Sequence, residues 1–340
     1  MEGRYQHAGI VPAVTKPRRA LITGVTGQDA WYLTQLLLAD GYQVFGLVHQ
    51  ADAAPVPAGV TAISGDLADS ADVRLAIEHS LPDEVYNLGG LSSVALSWED
   101  PLLTADVTGL GFLRVINAVQ ALPASRAHEV RIVQASSAEI FGEAAGPQTE
   151  RAAIFPVTPY GAAKAFAHQL ARVYRGAGLS ISTAIMYNHE SPRRPFTFVT
   201  RKITSTVARI ARGEADRLYV GNLSARRDWG FAGDYARALH LIGRHPVADD
   251  FVVASGESHS VADFVATAFR HIGVIDWRAL VEIDPRLQRP VDPPEQRGDS
   301  SKIRRELGWA PSKSFEEMVG EMVDADLHLM DAAQQSPGQS

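Results

Sequence analysis

Short apolar runs alternate with helical segments through the first half of the chain, and this alternation constrains the fold more than any other feature. Six runs read as buried strands: Ala20–Thr23, Val44–Val48, Ala62–Asp66, Glu84–Leu88, Val130–Ser136 and Ser180–Met186. Helical periodicity lies between them, most clearly in Pro101–Leu122 and Tyr160–Arg175. Repeated strand–helix units of this length predict an α/β fold with a doubly wound parallel sheet and helices on both of its faces.

A glycine-rich turn joins the first predicted strand to the first helix. It runs from Gly24 to Ala30 with the spacing G-x-x-G-x-x-A, where G-x-G-x-x-G is commoner. Backbone amides at such a helix start can hold a pyrophosphate, although an ordinary tight turn would have a similar sequence. We therefore assign five of its residues to a dinucleotide: Gly24, Thr26, Gly27, Gln28 and Asp29.

The end of the second predicted strand leaves the choice between NAD and NADP open. An acidic residue there would accept the ribose 2′-hydroxyl of NAD, and an arginine would suit the 2′-phosphate of NADP. The chain has His49 and Gln50 instead, and Asp52 lies further along. Asp66 and Leu67, after the third strand, are candidate adenine contacts, and a helix N-cap is the ordinary alternative for Asp66.

Tyr160 and Lys164 form a Y-x-x-x-K motif, in which both side chains project from one helix face. A neighbouring cation favours the phenolate and lowers a tyrosine pKa from its usual value near ~10. Together with a dinucleotide, the pair predicts hydride chemistry on an alcohol. Ser137 can hydrogen-bond a sugar oxygen beside Tyr160. Glu139 adds a base able to remove a carbon-bound proton next to a ketone, unless it is a surface glutamate that caps a turn.

The strand–helix regularity fades after Asn188, where arginines become frequent. Helices are expected at Phe198–Arg212, Tyr235–Gly243, Val261–Gly273, Ser300–Leu307 and Phe315–Leu329, with short strands at Leu218–Val220 and Phe251–Val253. We interpret this part as a smaller, mostly helical lobe over the carboxyl ends of the sheet, where ligands bind in such folds. Its arginine clusters predict a nucleotide-diphosphate site, because guanidinium groups bind phosphate oxygens bidentately.

The composition argues against several other kinds of partner. The net charge of −7 and a pI near 5.9 argue against general nucleic-acid or anionic-membrane binding. The chain has no cysteine, and His189 has no partner histidine at ligand spacing, so no metal site is expected. No apolar run approaches the ~20 residues needed to cross a bilayer. The first 18 residues lack an apolar signal region, and we expect a cytoplasmic protein.

These residues resemble the extended short-chain dehydrogenase/reductases that modify nucleotide sugars, and most closely the GDP-mannose 4,6-dehydratase family. The resemblance runs from Arg19 to about Leu329, and its most specific segments are Asn188–Arg194 and Phe198–Ile203. It implies a Rossmann-type sheet, a GDP-sugar substrate and a homodimer. The dimer interface would be a bundle of four helices, two from each chain, formed by Pro101–Leu122 and Tyr160–Arg175.

The resemblance also implies roles for individual residues. Tyr160 is the base, Lys164 is its partner and a ligand of the nicotinamide ribose, and Glu139 is an acid/base. Ser137 stands where the family usually has threonine. Cofactor contacts are further implied for His49, Asp66, Leu67 and Leu88, and substrate contacts for Ser92, Asn188, Glu190, Lys202, Arg227 and Arg289. Arg201 also matches a family position, facing either the substrate or the protein interior.

Four departures from the family pattern bear on specificity. Ala30 replaces a glycine of the turn. His49-Gln50 replaces an arginine pair that meets the 2′-phosphate in relatives, so the cofactor is NADP by resemblance, or NAD. The segment Ala51–Gly59 does not resemble the loop that joins relatives' dimers into tetramers, and a tetramer is not expected. Gly90–Ser93 differs from the usual Ala-Gln-Ser-His beside the sugar, which leaves a changed sugar specificity open.

The leading hypothesis is conversion of GDP-mannose to GDP-4-keto-6-deoxymannose by internal hydride transfer and water elimination. The alternatives are a dehydratase, epimerase or reductase for another nucleotide sugar, and a non-catalytic dinucleotide-sensing protein. The predicted organisation is a loose tail (1–18), a dinucleotide-binding domain (19–187), a sugar-nucleotide-binding lobe that can share strands with the sheet (188–330) and a frayed end (331–340).

Overall fold

A computed structural model describes residues 16–52 and 54–335 of the chain. Most of the predicted loose tail, and residues 336–340 of the predicted frayed end, lie outside these residues. The strands are β1 (Arg19–Thr23), β2 (Gln43–Val48), β3 (Val60–Ser64), β4 (Glu84–Asn87), β5 (Arg131–Ser137), β6 (Ser180–Met186), β7 (Asn188–Glu190), β8 (Leu218–Val220), β9 (Arg226–Phe231), β10 (Asp250–Val253), β11 (Ser258–Ser260), β12 (Val281–Ile283) and β13 (Glu295–Gln296).

The helices connect these strands. They are α1 (Gln28–Ala39), α2 (Ser70–Ser80), α3 (Val94–Glu99), α4 (Pro101–Thr104), α5 (Gly111–Gln120), α6 (Ala124–Ala127), α7 (Pro159–Gly176), α8 (Val199–Ala211), α9 (Ala232–Arg244), α10 (Val261–His271), α11 (Ser301–Leu307) and α12 (Phe315–Gln335).

Seven parallel strands form the main sheet in the order β10–β6–β5–β4–β1–β2–β3. Helices α1 and α9 pack on one face, and α2, α5 and α7 pack on the other. The inner strands are therefore buried on both sides, which is why their sequences are near-continuous apolar runs. The predicted doubly wound parallel sheet is confirmed.

Two elements predicted for the smaller lobe belong to the main sheet instead. Strand β10 pairs with β6 at the edge of the sheet, and α9 packs against α1. Phe251–Val253 is thus a strand that the second half of the chain shares with the main sheet, whereas our placement of Tyr235–Gly243 over the carboxyl ends of the strands is wrong. The physical reason is burial, because all four residues of β10 are buried and a strand of this kind needs a covering layer on each face.

The smaller lobe is built on short strands that the sequence pattern did not reveal. Strands β7, β11 and β13 all pair with β9, and β8 pairs with β12. Helices α8, α10 and α12 enclose the apolar core of this lobe. Strand β7 follows β6 after one residue, so the chain passes directly from the carboxyl edge of the main sheet into the smaller sheet.

The helix predicted at Pro101–Leu122 is interrupted. It consists of α4, a π-helical turn at Ala105–Leu110, and α5. Gly109 in that turn lets the backbone approach α7, because an added Cβ would lie 3.3 Å from Phe166. By length and composition alone, Pro101–Gln120 could span a membrane, but half of it is buried. Core helices of soluble proteins meet the same criterion, so the finding is only weak evidence for a membrane-spanning helix.

Candidate active site

A cavity of about 500 Å³ opens at the carboxyl edge of the main sheet. The residues that follow β1, β2, β4, β5 and β6 meet there, as expected for a ligand site in an open parallel sheet. It brings together sixteen of the residues singled out from the sequence: Gly24, Thr26, Gly27, Gln28, Asp29, His49, Asp66, Leu67, Leu88, Ser92, Ser137, Glu139, Tyr160, Lys164, Asn188 and Arg289.

The glycine turn forms one wall of the cavity. Gly24 has a φ of +65°, and a Cβ added there would lie 2.8 Å from the Cα of Gly89, so only glycine fits. Gly27 is the N-cap of α1, and no side chain caps this helix start. The first amides of α1 are thus left to a ligand at the positive end of the helix, which suits a pyrophosphate. Ala30, at the position of the family glycine, is buried.

Polar side chains line the end of the cavity beside β2 and β3. His49 Nε2 lies 3.4 Å from Asp66 Oδ2, and the His49 Nδ1 accepts from the Ala51 amide. Asp66 is not the N-cap of the next helix, because Asp69 accepts the hydrogen bonds at the start of α2. That alternative reading of Asp66 is wrong, while its adenine contact stays a prediction.

Asp52, which lies further along the sequence than the expected acidic position, also lines the cavity. Its Oδ2 accepts a 2.9 Å hydrogen bond from the Thr26 hydroxyl of the glycine turn. The loop after β2 folds back to make this contact across 26 residues. Strand-end spacing, the only sequence signal for this residue, could not show that.

The proposed catalytic residues lie on β5 and α7. Ser137 ends β5, and its hydroxyl accepts from the Glu139 amide at 3.3 Å. Thr158 is the N-cap of α7, and its hydroxyl lies 3.4 Å from Glu139 Oε2. Gly161 permits this close packing, since an added Cβ would lie 2.6 Å from the Glu139 carbonyl oxygen. Glu139 is therefore a buried cavity residue, and the alternative of an exposed turn cap does not hold.

The chain alone does not lower the pKa of Tyr160. Burial raises that pKa, the nearby Glu139 charge adds to the effect, and a hydrogen bond with Ser137 opposes it. The Lys164 ammonium donates to the Ala135 carbonyl at 2.8 Å and lies 5.8 Å from the Tyr160 ring centre. Burial lowers the pKa of Lys164 to about 8. Burial dominates the pKa of Tyr160 in this structure, and the lowering of that pKa by Lys164 stays a prediction.

Three predicted substrate residues do not line this cavity. Glu190 is buried behind it, where it accepts from Thr200 at 2.6 Å and pairs with Arg194 at 3.1 Å. Arg227 is buried against Asp292 and the Pro293 carbonyl. Lys202 lies in a separate surface cleft. In these positions, Glu190 and Arg227 hold in place segments that carry cavity residues.

The structure also adds residues that the sequence reasoning had not assigned. Arg194 lines the cavity, held by Glu190 and by the Phe198 ring, whose centre lies 3.7 Å from the guanidinium carbon. His189 lines it too, at 2.9 Å from Asp29. Arginine frequency gave a signal for Arg194, but its sequence neighbour Arg193 instead lies over the Trp31 ring at 4.2 Å. Among the described residues, no group of three possible metal ligands is found.

Comparison with known proteins gives consistent matches along the chain. The sequence profile of the family described as GDP-mannose 4,6 dehydratase matches residues 21–322. GDP-mannose 4,6 dehydratase 1 of Arabidopsis thaliana is 42% identical, covering 93% of this chain and 92% of its own length. The Homo sapiens GDP-mannose 4,6 dehydratase is 39% identical, covering 93% of each chain. The Vibrio cholerae enzyme is 38% identical, over 92% of this chain and 94% of its own.

Solved structures match the fold as well. The UDP-glucose 4-epimerase of Thermus thermophilus, in complex with NAD, superimposes with a TM-score of 0.79 at 27% identity. That match covers 91% of this chain and 98% of the epimerase. The dTDP-glucose 4,6-dehydratase of Bacillus anthracis, at 16% identity and a TM-score of 0.77, shares the fold over 91% of this chain and 96% of its own.

Proposed function

Because the chain belongs to the GDP-mannose 4,6-dehydratase family, we propose that it converts GDP-mannose to GDP-4-keto-6-deoxymannose. The observation that carries this proposal is one cavity that holds the glycine turn, Ser137, Tyr160 and Lys164 together with the buried carboxylate Glu139. A simple alcohol dehydrogenase has no need of that carboxylate. An elimination of water requires a base at the neighbouring carbon.

The residues present fit a nicotinamide dinucleotide, and the enzyme uses one. The uncapped start of α1 suits the pyrophosphate, and the missing side chain of Gly24 lets the turn pack closely against Gly89 at the end of β4. Lys164 would hold the nicotinamide ribose, and Tyr160 would hold the reacting hydroxyl. The chemistry that such a cofactor would supply is reversible hydride exchange, out of carbon 4 and back into carbon 6 of the hexose, with no net redox change.

The chain's own side chains then move the protons. The Tyr160 oxygen takes the proton of the 4-hydroxyl, while Ser137 hydrogen-bonds the same sugar oxygen. The resulting ketone acidifies the carbon-5 hydrogen, which the Glu139 carboxylate removes. Glu139 delivers that proton to the departing 6-hydroxyl, and water leaves. When hydride returns at carbon 6, carbon 5 takes the proton held by Tyr160, which restores the proton acceptor for the next turnover. Thr158 orients Glu139 through the contact at its Oε2, and the buried position of both groups excludes competing solvent.

The test of the reaction class is mass spectrometry of the product formed from purified GDP-mannose. We expect the mass to fall by one water. An epimerase would leave the mass unchanged, and a reductase would add two hydrogens. Glu139→Gln should stop product formation while substrate still produces the absorbance of reduced nicotinamide. Full turnover by that variant would refute the role of Glu139 in the elimination.

The sugar itself is tested by comparing GDP-mannose with other GDP-hexoses. The loop Gly90–Ser93 differs from the family pattern, and Ser92 lines the cavity. The Leu91 amide donates to Thr108 at 3.0 Å, which fixes this loop to the π-helical turn. If another GDP-hexose is converted with a higher kcat/KM than GDP-mannose, a dehydratase for that sugar becomes the better assignment. Binding of all ligands without any product would instead favour a dinucleotide-sensing protein.

We further propose that the preferred cofactor is NAD, not NADP. Among the described cavity residues that follow β2 and β3 there is no lysine or arginine, and two carboxylates are present, Asp52 and Asp66. Asp52 is anchored by Thr26, and Asp66 already engages His49. Carboxylates accept hydrogen bonds from ribose hydroxyls and repel a 2′-phosphate.

Direct binding of NAD and NADP distinguishes the two cofactors without any turnover. We expect the wild type to bind NAD at least ~10-fold more tightly, and Asp52→Asn to narrow that ratio. Asp216→Asn, an exposed acidic position that does not line this cavity, is the matched control. Tighter binding of NADP by the wild type would overturn the assignment.

We also propose that two copies of the chain associate through α7 and the stretch from α4 to α5. Large apolar side chains are exposed on both: Leu102, Leu103, Leu110, Phe166 and Val173. Exposed apolar patches of this kind mark protein interfaces. Light scattering of the full chain should give a dimer, and Leu102→Glu should shift it toward the monomer, with exposed Leu75→Glu on α2 as the control.

A further inference from the structure

The glycine turn and strand β7 are joined by the side chain of His189, which has no assigned part in the reaction. Its Nδ1 lies 2.7 Å from the Tyr187 carbonyl oxygen, and its Nε2 lies 2.9 Å from Asp29 Oδ2. The ring thus connects the second residue of α1 with a strand 160 residues further along the chain. Both Asp29 and His189 line the cavity.

The two contacts of His189 define its protonation state. A carbonyl oxygen only accepts hydrogen bonds, so Nδ1 carries a proton. Nε2 faces a carboxylate oxygen, which also accepts when ionised. The other oxygen of Asp29 accepts from the Gln28 amide at 3.2 Å. An imidazolium beside a carboxylate satisfies every one of these contacts, whereas a neutral ring would set its lone pair against an oxygen of Asp29.

The charged groups around the ring support this state. Burial acts to lower the pKa of His189, but the charge and the hydrogen bond of Asp29 outweigh it and raise that pKa. Burial acts to raise the pKa of Asp29, but His189 and then Arg194 hold that pKa below its usual value. Arg194, from the segment after β7, is the cation that opposes protonation of His189. From α9, Tyr235 stacks on the ring at 4.5 Å, and Glu190 follows in β7.

A second set of hydrogen bonds runs parallel to this ion pair. The Gln28 amide donates to the His189 carbonyl at 3.1 Å, and the Ser191 hydroxyl donates to Gln28 Oε1 at 2.8 Å. The first two residues of α1 therefore hold β7 and the residue after it. Asn188, directly before His189, lines the cavity from this strand. A shift of the ring would displace the cofactor turn and Asn188 together.

We propose that His189 is a positioning residue, held as an imidazolium by Asp29 and the Tyr187 carbonyl, that keeps the dinucleotide turn and the sugar-nucleotide strand β7 in register. Loss of its proton weakens binding of both ligands together. The proposal rests on the proposed function for the identity of the two ligands. The proposal adds that binding at the dinucleotide turn and binding at strand β7 are coupled through His189.

The test is binding of NAD and of GDP to the full chain, followed by tryptophan fluorescence from about pH 6 to about pH 9. Wild-type affinity for both ligands should fall together as pH rises. Asp29→Asn should remove this alkaline fall, because the Asn amide can donate to Nε2 of a neutral ring and keep the contact. His189→Phe keeps the stack on Tyr235 but cannot donate, and should bind both ligands about tenfold more weakly at every pH.

The chain contains a matched control pair. His240 Nε2 lies 3.3 Å from Asp40 Oδ2, and this pair joins α9 to the C-cap of α1, outside the cavity. Asp40→Asn and His240→Phe should leave both affinities and their pH dependence unchanged. If His189→Phe does not fold, the ring nitrogen shifts of His189 in wild type and Asp29→Asn give its pKa directly by NMR.

Two results would overturn the proposal: wild-type affinities that do not change with pH, or an alkaline fall that persists in Asp29→Asn. Binding is measured without turnover, so a failed dehydratase assay would count against the proposed function and not against this coupling. A pH effect on NAD binding alone, with GDP unaffected, would also contradict it.

Discussion

The cavity wall of the main sheet and the interior of the smaller lobe both bury a basic side chain, but the partner of that side chain differs. Lys164 donates to a backbone carbonyl and, within the described residues, has no ion-pair partner. Arg201 in α8 is 2.8 Å from Asp326 in α12 and is almost fully buried with it. The first arrangement leaves a destabilised cation beside the reacting groups, and the second ties two helices together.

The two arrangements separate buried groups that serve the reaction from buried charges that stabilise the fold. Arg201 was open between a substrate-facing and an interior position, and its ion pair places it in the interior. Glu190 and Arg227 are also paired and buried. The unpaired groups Lys164 and Tyr160 line the cavity. Substitution of Lys164 or Tyr160 should therefore cost activity and spare stability, while substitution within the Arg201–Asp326 pair, which lies outside the cavity, should do the reverse.

The largest expected effect is on turnover. Tyr160→Phe removes the proton acceptor and should lower kcat by about 10³-fold, with the unfolding transition unchanged. Tyr174→Phe, in the same helix but packed against the apolar core, is the control and should retain kcat. Steady-state kinetics and circular dichroism of both variants check this. If Tyr160→Phe unfolded under milder conditions than the wild type, Tyr160 would contribute to stability as well as to activity, which contradicts the prediction.

The next effect tests the smaller lobe. Arg201→Met leaves Asp326 buried without its partner and should lower the free energy of unfolding by about 3–5 kcal/mol. Replacing both residues, with Arg201→Met and Asp326→Leu together, should recover most of that loss. Urea denaturation of the single and double variants measures it. Equal losses in both would mean that the guanidinium stabilises the lobe through other contacts.

A smaller effect of opposite sign is expected at Lys164. Burial lowers its pKa from 10.5 to about 8, so the folded state binds fewer protons than the unfolded state between these values. Wild-type stability should therefore rise as pH increases from about 8 toward 10.5. Lys164→Met should raise the free energy of unfolding at pH 7 by about 2–3 kcal/mol and abolish turnover. A destabilised variant would show that the contact with the Ala135 carbonyl outweighs desolvation.

The smallest effect is expected at Thr158, which contributes both to the stability of the fold and to the arrangement of the active site. Thr158 both caps α7 and contacts Glu139, so it belongs to structure and site at once. Thr158→Ala should cost about 1 kcal/mol of stability and lower kcat, while Thr158→Ser should restore both. Thermal unfolding and kinetics on the same samples compare them. If Thr158→Ser restored stability but not kcat, the hydroxyl would be sufficient to cap α7 but not to orient Glu139.

Much of the site was predictable because its residues lie where regular elements end. The glycine turn, Ser137 and the Tyr160–Lys164 pair follow from strand ends and from one helical turn, and all of them line the cavity. Arg227 and Lys202 were predicted from their sequence segments alone, and neither lines the cavity. A guanidinium can bind a phosphate or a buried carboxylate equally well, and local sequence does not distinguish these partners.

The layered α/β fold can be read from the amino-acid pattern, since periods of two and 3.6 residues specify strands and helices locally. The pairing of β10 with the main sheet, the contact of Asp52 with Thr26 and that of His189 with Asp29 become visible only in the folded chain. These contacts join positions from 26 to 160 residues apart. Such pairings depend on how the elements stack, because a side chain's partner is set by packing in space and not by its neighbours in the chain.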